Sequence, residues 1–575
     1  MMETRSALGK KWELKQIDPT LSKHLAEVLS IDETLAGLLS LRGVQTFEEA
    51  KAFFRPTLKQ LHDPFLMHDM DKAATRLLSA IDKQESIMVY GDYDVDGTTS
   101  VAMVYRFLKE LSPLVYFYIP DRYKEGYGLS EKGIKTAKDL GCSLLITLDC
   151  GIKAVELIHQ ANTLGLDTII CDHHTPGKVL PKATAILDPK KSNCTYPFKE
   201  LCGCGVGFKL LEALAVLRNI PREKLYENLD FVAIATGADI VPLVGENRVL
   251  MHFGMKQITY NKRPGVEALL EVSGKKQVKT VTDVVFGIAP RINAAGRIKQ
   301  ASEAVHLLIQ QDFESARRIA SAIEHHNRTR RVLDTQITKE ALEMIQSGKK
   351  YKERVSTVVF HPDWHKGVVG IVASRLIESY YRPTIVLAES NGVAVGSARS
   401  IAGFDIYEAL DQCADTLIQF GGHKYAAGLT LKLDQVELFE ERFDEVVRNT
   451  IDPELLIEKI SIDLELGLEK IGPRFYRIMR QMAPFGPGNR TPVFVTKKVK
   501  DAGYSRSVGS DKSHLKLHVV GEDGIDMQGI AFGMGHMLDR VKSEKYFDIV
   551  YSLEENTYKG NITLQLLIRD LRFPD

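Results

Sequence analysis

The sequence predicts a multidomain α/β protein: a parallel-sheet domain, a long connecting helix, a second α/β domain and a C-terminal β-barrel. Three observations carry this expectation. From Ser86 to Cys171 short apolar strands alternate with helices, the pattern of an open parallel sheet covered on both faces. Between Gln311 and Gln346 no proline or glycine interrupts a polar-rich stretch whose apolar residues recur at helical spacing. After about Asp452 the helical patterning thins and β-rich segments dominate. At 575 residues the chain also exceeds what one hydrophobic core supports.

Taken in order, residues 1–75 show mixed helical patterning around Leu35, Leu38, Leu39 and Leu41 and are expected to cap the domain that follows. In the sheet domain, 76–300, strands are predicted over 87–90, 115–119, 144–148 and 168–171. Helices are predicted between them over 100–111, 131–140 and 154–164. The connector, 301–350, holds the stretch Gln311–Gln346, in which Ala316, Ile319, Ile323, Leu333, Ile337, Ala341 and Met344 recur at helical spacing and which spans about 50 Å at 1.5 Å per residue. The second α/β domain, 351–452, has predicted strands over 356–360 and 384–388, a helix after Gly367, and glycine-rich turns at Gly396 and Gly421. The last segment, 453–575, opens near the turn Pro484-Phe485-Gly486-Pro487-Gly488 and has strands over 493–499, 515–520 and 561–568. Five or six strands in about 120 residues suit an OB-fold, and equally another small β-fold.

Composition narrows the function classes. Apolar residues make up 44% and charged residues 26%, and no stretch approaches the roughly 18 apolar residues a membrane span needs. The first residues mix acidic and basic side chains with no apolar signal core, so secretion is not expected. Seven scattered cysteines, with Cys202 and Cys204 lacking a second spaced pair, argue against structural zinc and for free thiols in the cytoplasm. The net charge is zero, so attraction to a polyanion must come from local clusters and bound cations.

The strongest local signal is Gly91-Asp92-Tyr93-Asp94-Val95-Asp96-Gly97, directly after a predicted strand. Its carboxylates repel one another unless cations sit among them. A calcium-binding EF-hand is excluded because the twelfth loop position is Met103, where a bidentate Glu is required, and a strand precedes the loop. Leu148-Asp149-Cys150-Gly151 and Cys171-Asp172-His173-His174 repeat the theme at two further strand ends. Singly, Asp149 reads as a helix cap and the histidine pair as a surface turn. Together they converge, because ligands in parallel sheets gather beyond the carboxyl ends of the strands.

Asp94 and Asp96, Asp149, the triplet Asp172-His173-His174, and Asp239 in Ala235-Thr236-Gly237-Ala238-Asp239 resemble the ordered motifs of the DHH phosphoesterases. Glu125-Gly126-Tyr127-Gly128-Leu129, Arg291-Ile292-Asn293-Ala294-Ala295-Gly296-Arg297, Gly396-Ser397-Ala398-Arg399-Ser400 and Gly421-Gly422-His423 resemble the further motifs of the RecJ exonucleases and their DHHA1 domain. The resemblance runs from about residue 75 to the end.

It implies two divalent cations, Mn²⁺ or Mg²⁺, as mostly carboxylate ligation with one imidazole also suggests. Asp149 would bridge them, Asp94 would serve one, and Asp96, His173 and Asp239 the other. Asp92 stands where some family members have a histidine ligand and joins Asp149 and His174 as a catalytic candidate, with His174 orienting the site or the phosphate. The activity implied is removal of nucleotides from the 5′ end of single-stranded DNA, in repair and recombination, by a monomer with a helicase or single-strand-binding protein as partner.

Ser397, Arg399 and His423 read either as tight turns or, by the resemblance, as a grip on the terminal phosphate; Arg122, Arg291, Asn293 and Arg297 are further candidates for that anion surface. Lys497, Lys498, Lys500, Tyr504, Arg506 and Lys512 interleave bases and aromatics as a single-strand groove does, and equally as a solvated strand face does. The rivals are a DHH-family pyrophosphatase, oligoribonuclease or cyclic-dinucleotide phosphodiesterase, and a non-catalytic replication scaffold. The β-rich extension and the connecting helix favour a polymeric substrate over the first, and the intact set of candidate ligands disfavours the second.

Overall fold

The computed structural model describes residues 6–298, 300–558 and 560–574. Two compact units are formed: Arg55–Val332 with Pro484–Arg490, and the chain up to Phe54 with Leu333–Ala483 and Thr491 onward.

The first of these is built on five parallel strands in the order Val115–Tyr118, Ser86–Gly91, Cys142–Leu148, Asp167–Cys171, Ala185–Leu187. Ile87, Val89, Leu144, Ile146 and Ile169 pack on one face against helices Met70–Asp82, Val95–Lys109 and Gly203–Leu217. Met88, Tyr90, Leu145 and Ile170 pack on the other against Glu131–Asp139 and Val155–Thr163. Burial on both faces explains why these strands read as continuous apolar runs. Each buried Leu, Ile or Val contributes about 1.5–3 kcal/mol relative to leaving it exposed.

The strand order reverses between the Ser86 and Cys142 strands, which is where an open parallel sheet forms its crevice. The register aligns their ends: Gly91 pairs with Leu148, Leu148 with Cys171, and Cys171 with Leu187. The residues that follow, Asp92, Asp149, Asp172 and Asp188, therefore leave the sheet at one level. The helix predicted from 100 starts earlier, at Val95, because Asp94 caps it by accepting a hydrogen bond from Gly97 N–H at 3.0 Å.

In the other unit the last part of the helix Phe313–Ser347, from Leu333 on, packs on a mixed sheet. This helix matches the stretch read over 311–346, and the start of the expected connector, Ser302–Leu308, forms a separate helix before it. The sheet order is Gln419–His423, Ala426–Lys432, Val393–Arg399, Thr384–Ser390, Thr357–His361, with only the last pair parallel. Gly396 and Gly421 lie inside strands, not in the predicted turns. The close neighbour at Gly396 explains it: a Cβ there would stand 2.3 Å from Leu387 Cδ2, so the glycine serves strand packing.

Beyond residue 490 the strands Phe494–Asp501, Phe547–Tyr558, Asn561–Arg572, Asp526–Ala531 and His514–Val520 pair in that order, and Lys500 and Asp501 of the first pair back to Val520 and Val519 of the last. This closes a five-stranded ring of the OB kind. Residues 6–54 group with this unit rather than with the sheet they were expected to cap; of 1–75, only 55–75 lie in the sheet's unit. Lys11–Leu14 pairs with Lys459–Ile462, and Trp12 Nε1 donates to Asp570 Oδ2 at 3.0 Å. Pairing across more than 400 residues leaves no trace in local periodicity. Among the described residues no helix is long and apolar enough to cross a membrane.

Candidate metal centre

At the crevice, His173 Nε2 lies 3.2 Å from Asp149 Oδ1, 3.6 Å from Asp239 Oδ2 and 3.9 Å from Asp96 Oδ2. These four side chains come from two strand ends, one helix start and one helix end. Asp149 sits just past its strand at φ 59°, a left-handed conformation that a non-glycine residue adopts only when its surroundings hold it there. Asp96, in the first turn of its helix, accepts from Gly203 N–H at 2.6 Å and Cys204 N–H at 2.7 Å, the amino-terminal end of the next long helix. Asp239 caps the carboxyl end of Leu229–Ala238, where the helix dipole opposes a negative charge.

The electrostatics call for a cation. Burial first, then mutual repulsion, raises the Asp149, Asp96 and Asp239 carboxyls above their usual range. Burial lowers His173 to about 3, with His174 adding to it, so the imidazole is neutral and its nitrogen lone pair is available. Asp149 Oδ1 and His173 Nε2 are buried without a hydrogen-bond partner. Asp149, His173 and His174, and likewise Asp96, His173 and Asp239, bring their ligand atoms within 4.8 Å of one another. Three carboxylates and a neutral imidazole, with donor atoms left unpaired, fit a hard divalent ion of the Mn²⁺ or Mg²⁺ type.

Not every expected ligand joins this group. Asp94 spends one oxygen on the helix cap and belongs to neither cluster. Asp92 is buried, accepts from Gly128 N–H at 3.1 Å and keeps Oδ2 unpartnered; burial, then Asp94, raises its pKa. His174 lies beside His173 but is held by other partners: Nδ1 bonds Asp172 Oδ1 at 2.7 Å and lies 4.0 Å from Asp149, and Nε2 meets the Tyr127 hydroxyl at 3.2 Å. Burial works against a charged His174, yet the bond to Asp172 outweighs it and raises the pKa; burial likewise opposes a charged Asp172, but the same pairing lowers it to about 2.

Two contributors went unread in the sequence. One is the helix start Gly203-Cys204, signalled by the alternating glycines 203, 205 and 207. A Cβ at Gly203 would lie 2.6 Å from Asp149 Cβ and 2.8 Å from its Cα. Gly203→Ala is therefore expected to weaken Mn²⁺ binding about 10- to 100-fold, the usual range for disturbing groups behind a ligand, with circular dichroism unchanged. Calorimetric titration with Mn²⁺ checks this; parent-like affinity would show that the crevice tolerates the methyl group. The other is Asp188, at a fourth strand end, fully buried with Oδ2 unpartnered and its pKa raised to about 7 by burial and then Asp172.

On the mixed sheet, Arg399, Ala426 and His423 form one row across three strands, and Ser397, Gly428 and Gly421 another. Paired residues share a face, so Ser397, Arg399 and His423 stand around a floor of alanine and glycine. Arg399 Nη1 donates to Ser397 Oγ at 2.8 Å, and a Cβ at Gly370, in the first turn of Val369–Ser379, would lie 2.9 Å from that oxygen. A guanidinium beside a helix amino terminus and a bare floor suit an anion.

Among the other predicted contacts, Arg291 is placed differently. Arg291 is buried, paired with Glu324 at 2.8 Å and donating to Gly287 O at 2.6 Å, so it is withdrawn from the anion surface. Asn293 and Arg297 are half-buried on the same helix, and Arg122 lies over the Tyr93 ring. Lys497 and Lys498 pair with Glu465 and Glu522. Tyr504 lies against His518, Arg506 stands opposite Lys516, and Phe532 lies against His514.

The N-terminal domain of the DHH family matches residues 86–236, the DHHA1 domain 352–449, and the RecJ OB domain 462–570. The single-stranded-DNA-specific exonuclease RecJ of Bacillus subtilis is 41% identical over 97% of this chain and 70% of its own length. That of Escherichia coli is 35% identical over 93% and 95%. This chain belongs to the RecJ family. The Thermus thermophilus RecJ crystal structure with Mn²⁺ superposes with a TM-score of 0.85 at 27% identity, covering 98% of this chain and 80% of that one. The RecJ-family match spans the sheet domain, the mixed-sheet domain and the barrel alike.

Proposed function

We propose that this chain is a metal-dependent exonuclease that hydrolyses single-stranded DNA from its 5′ end to mononucleotides, in repair and recombination. The observation that carries the reading is the convergence of Asp96, Asp149, His173 and Asp239 at the sheet's reversal point in a RecJ-family chain. These four would hold one Mn²⁺ or Mg²⁺, and Asp149, shared with Asp94 and Asp92 nearby, would extend to a second. Bound divalent ions supply an acidified water and charge neutralisation at the phosphoryl oxygens.

The chain's own groups do the rest. Asp172 and the Tyr127 hydroxyl fix both nitrogens of His174, so its ring has one orientation at the crevice and can steady a phosphate oxygen. Gly203 and Cys204 N–H groups keep Asp96 from turning away. Asp92 holds the Gly128 backbone, and with it the loop above Asp149. Arg399, Ser397 and His423 are assigned to the terminal phosphate. The reading extends to a monomer in the cytoplasm, where the seven buried free cysteines suit a reducing compartment, with a helicase or single-strand-binding protein as partner.

Incubation of 5′-labelled single-stranded DNA with Mn²⁺ tests this, beside pyrophosphate and a short RNA. Labelled mononucleotide as the first product is expected. Preference for pyrophosphate or the short RNA would move the chain to another DHH activity, and no turnover of any of them to a scaffold. Arg399→Ala is expected to weaken the enzyme about tenfold or more on 5′-phosphate ends relative to 5′-hydroxyl ends, because two charge-assisted hydrogen bonds are lost. Equal losses on both ends would place Arg399 away from the terminus.

A further inference from the structure

The segment Asp121–Ser130 places an aromatic ring at the lip of the metal centre and fixes it there. Glu125 accepts from the Tyr118 hydroxyl at 2.8 Å and Ser130 Oγ at 2.7 Å, while the Tyr90 hydroxyl donates to Gly128 O at 2.8 Å. Gly126 and Gly128 adopt φ 87° and 80°, conformations that L side chains rarely take, so the turn throws Tyr127 outward between them. Its hydroxyl points inward to His174 Nε2. The residue is 54% exposed, although Asp92, Tyr93, Asp149 and His174 beside it are buried or half-buried.

The ring does not stand alone. Tyr93 meets it edge-on at 6.0 Å, and the His174 ring lies edge-on at 6.1 Å. Arg122 lies 4.9 Å from the centre of the Tyr93 ring and forms no ion pair among the described residues. A guanidinium, two phenols and an imidazole thus form one continuous wall ending beside Asp149. Leaving a rigid aromatic face in water has no stabilising return within the fold, whereas a flat ring with fixed torsions is well suited to stack a base.

We propose that Tyr127, backed by Tyr93 and Arg122, is the stacking platform for the base of the nucleotide being released. This rests on the nuclease reading above and adds a positioning residue to it. Stacking is indifferent to which base is present, so the platform would hold any terminal nucleotide at the carboxylates without selecting sequence.

The test compares two 5′-phosphorylated single strands that differ only in whether the terminal nucleotide has a base or is abasic. Tyr127→Ala is expected to raise KM on the normal end about 5- to 150-fold, the span for losing one base–aromatic stack. On the abasic end its KM should match that of the parent within about twofold, since no stack exists there to lose. Tyr127→Phe keeps the ring and removes the hydroxyl, so its KM should stay near the parent on both ends while kcat falls with the loosened His174. Equal KM losses on both ends, or none on either, would overturn the platform. A parent chain that degrades neither strand would remove the nuclease reading, and the platform with it.

Discussion

Asp149→Ala should lower turnover on single-stranded DNA by about a thousandfold or more, the several kcal/mol that a metal contributes to the transition state. The geometry makes this residue the least replaceable of the set. Its Oδ1 faces His173 Nε2 at 3.2 Å with no hydrogen-bond donor of its own, and its backbone is held in the left-handed region. Alanine keeps the sheet, since the Asp149 N–H still bonds Cys171 O at 2.9 Å. It also removes a charge that the fold opposes: burial and four neighbouring aspartates raise this carboxyl when no cation balances it. The variant should therefore be folded, at least as stable without metal, and able to bind a strand. Mn²⁺ titration and single-turnover kinetics at saturating Mn²⁺ check both halves. Activity above a few per cent of the parent would show that Asp149 is not the shared ligand.

How much of this was legible follows from which signals are local. Strand ends followed by Asp92, Asp149 and Asp172 could be read because apolar runs and their terminating acids are neighbours in sequence. The parallel register then aligned them without further information. Asp188 ends a strand of only three residues and gave too short a run to read. Arg291 looked like a surface cation; only the distant Glu324 shows that it is buried and spent. Gly396 and Gly421 read as turns because glycine weakens strands, but cross-strand partners decided otherwise. The N-terminal residues were assigned by adjacency, whereas Trp12 reaches Asp570. Local chemistry was readable, and long-range pairing was not.

Lys209 shows the same division, and it carries the largest expected effect on stability. It lies inside Gly203–Leu217, the helix whose first turn holds Asp96, and nothing in that run marks it as exceptional. In the fold it is fully buried, with Nζ 2.9 Å from Glu212 Oε2, 2.9 Å from Glu246 Oε1 and 2.8 Å from His62 O. Glu246 is buried too, and also accepts from Tyr196 OH at 2.6 Å and His62 N–H at 2.8 Å. The network ties the 55–69 segment to the sheet domain through side chains that cannot reach water. Lys209→Met keeps most of the volume but leaves Glu246 a buried charge without a cation, which is expected to destabilise this unit by about 3–5 kcal/mol. Adding Glu246→Gln should recover a substantial part, because the orphaned charge rather than the lost contact is the main penalty. Urea unfolding of the parent, the single variants and the double variant measures this coupling. A loss below about 1 kcal/mol for Lys209→Met would mean that solvent reaches Glu246 and screens it. Below its unfolding transition the variant should still bind Mn²⁺, since the backbone donors to Asp96, Gly203 and Cys204, sit in the helix's first turn ahead of the lysine and need only the helix, not the lysine.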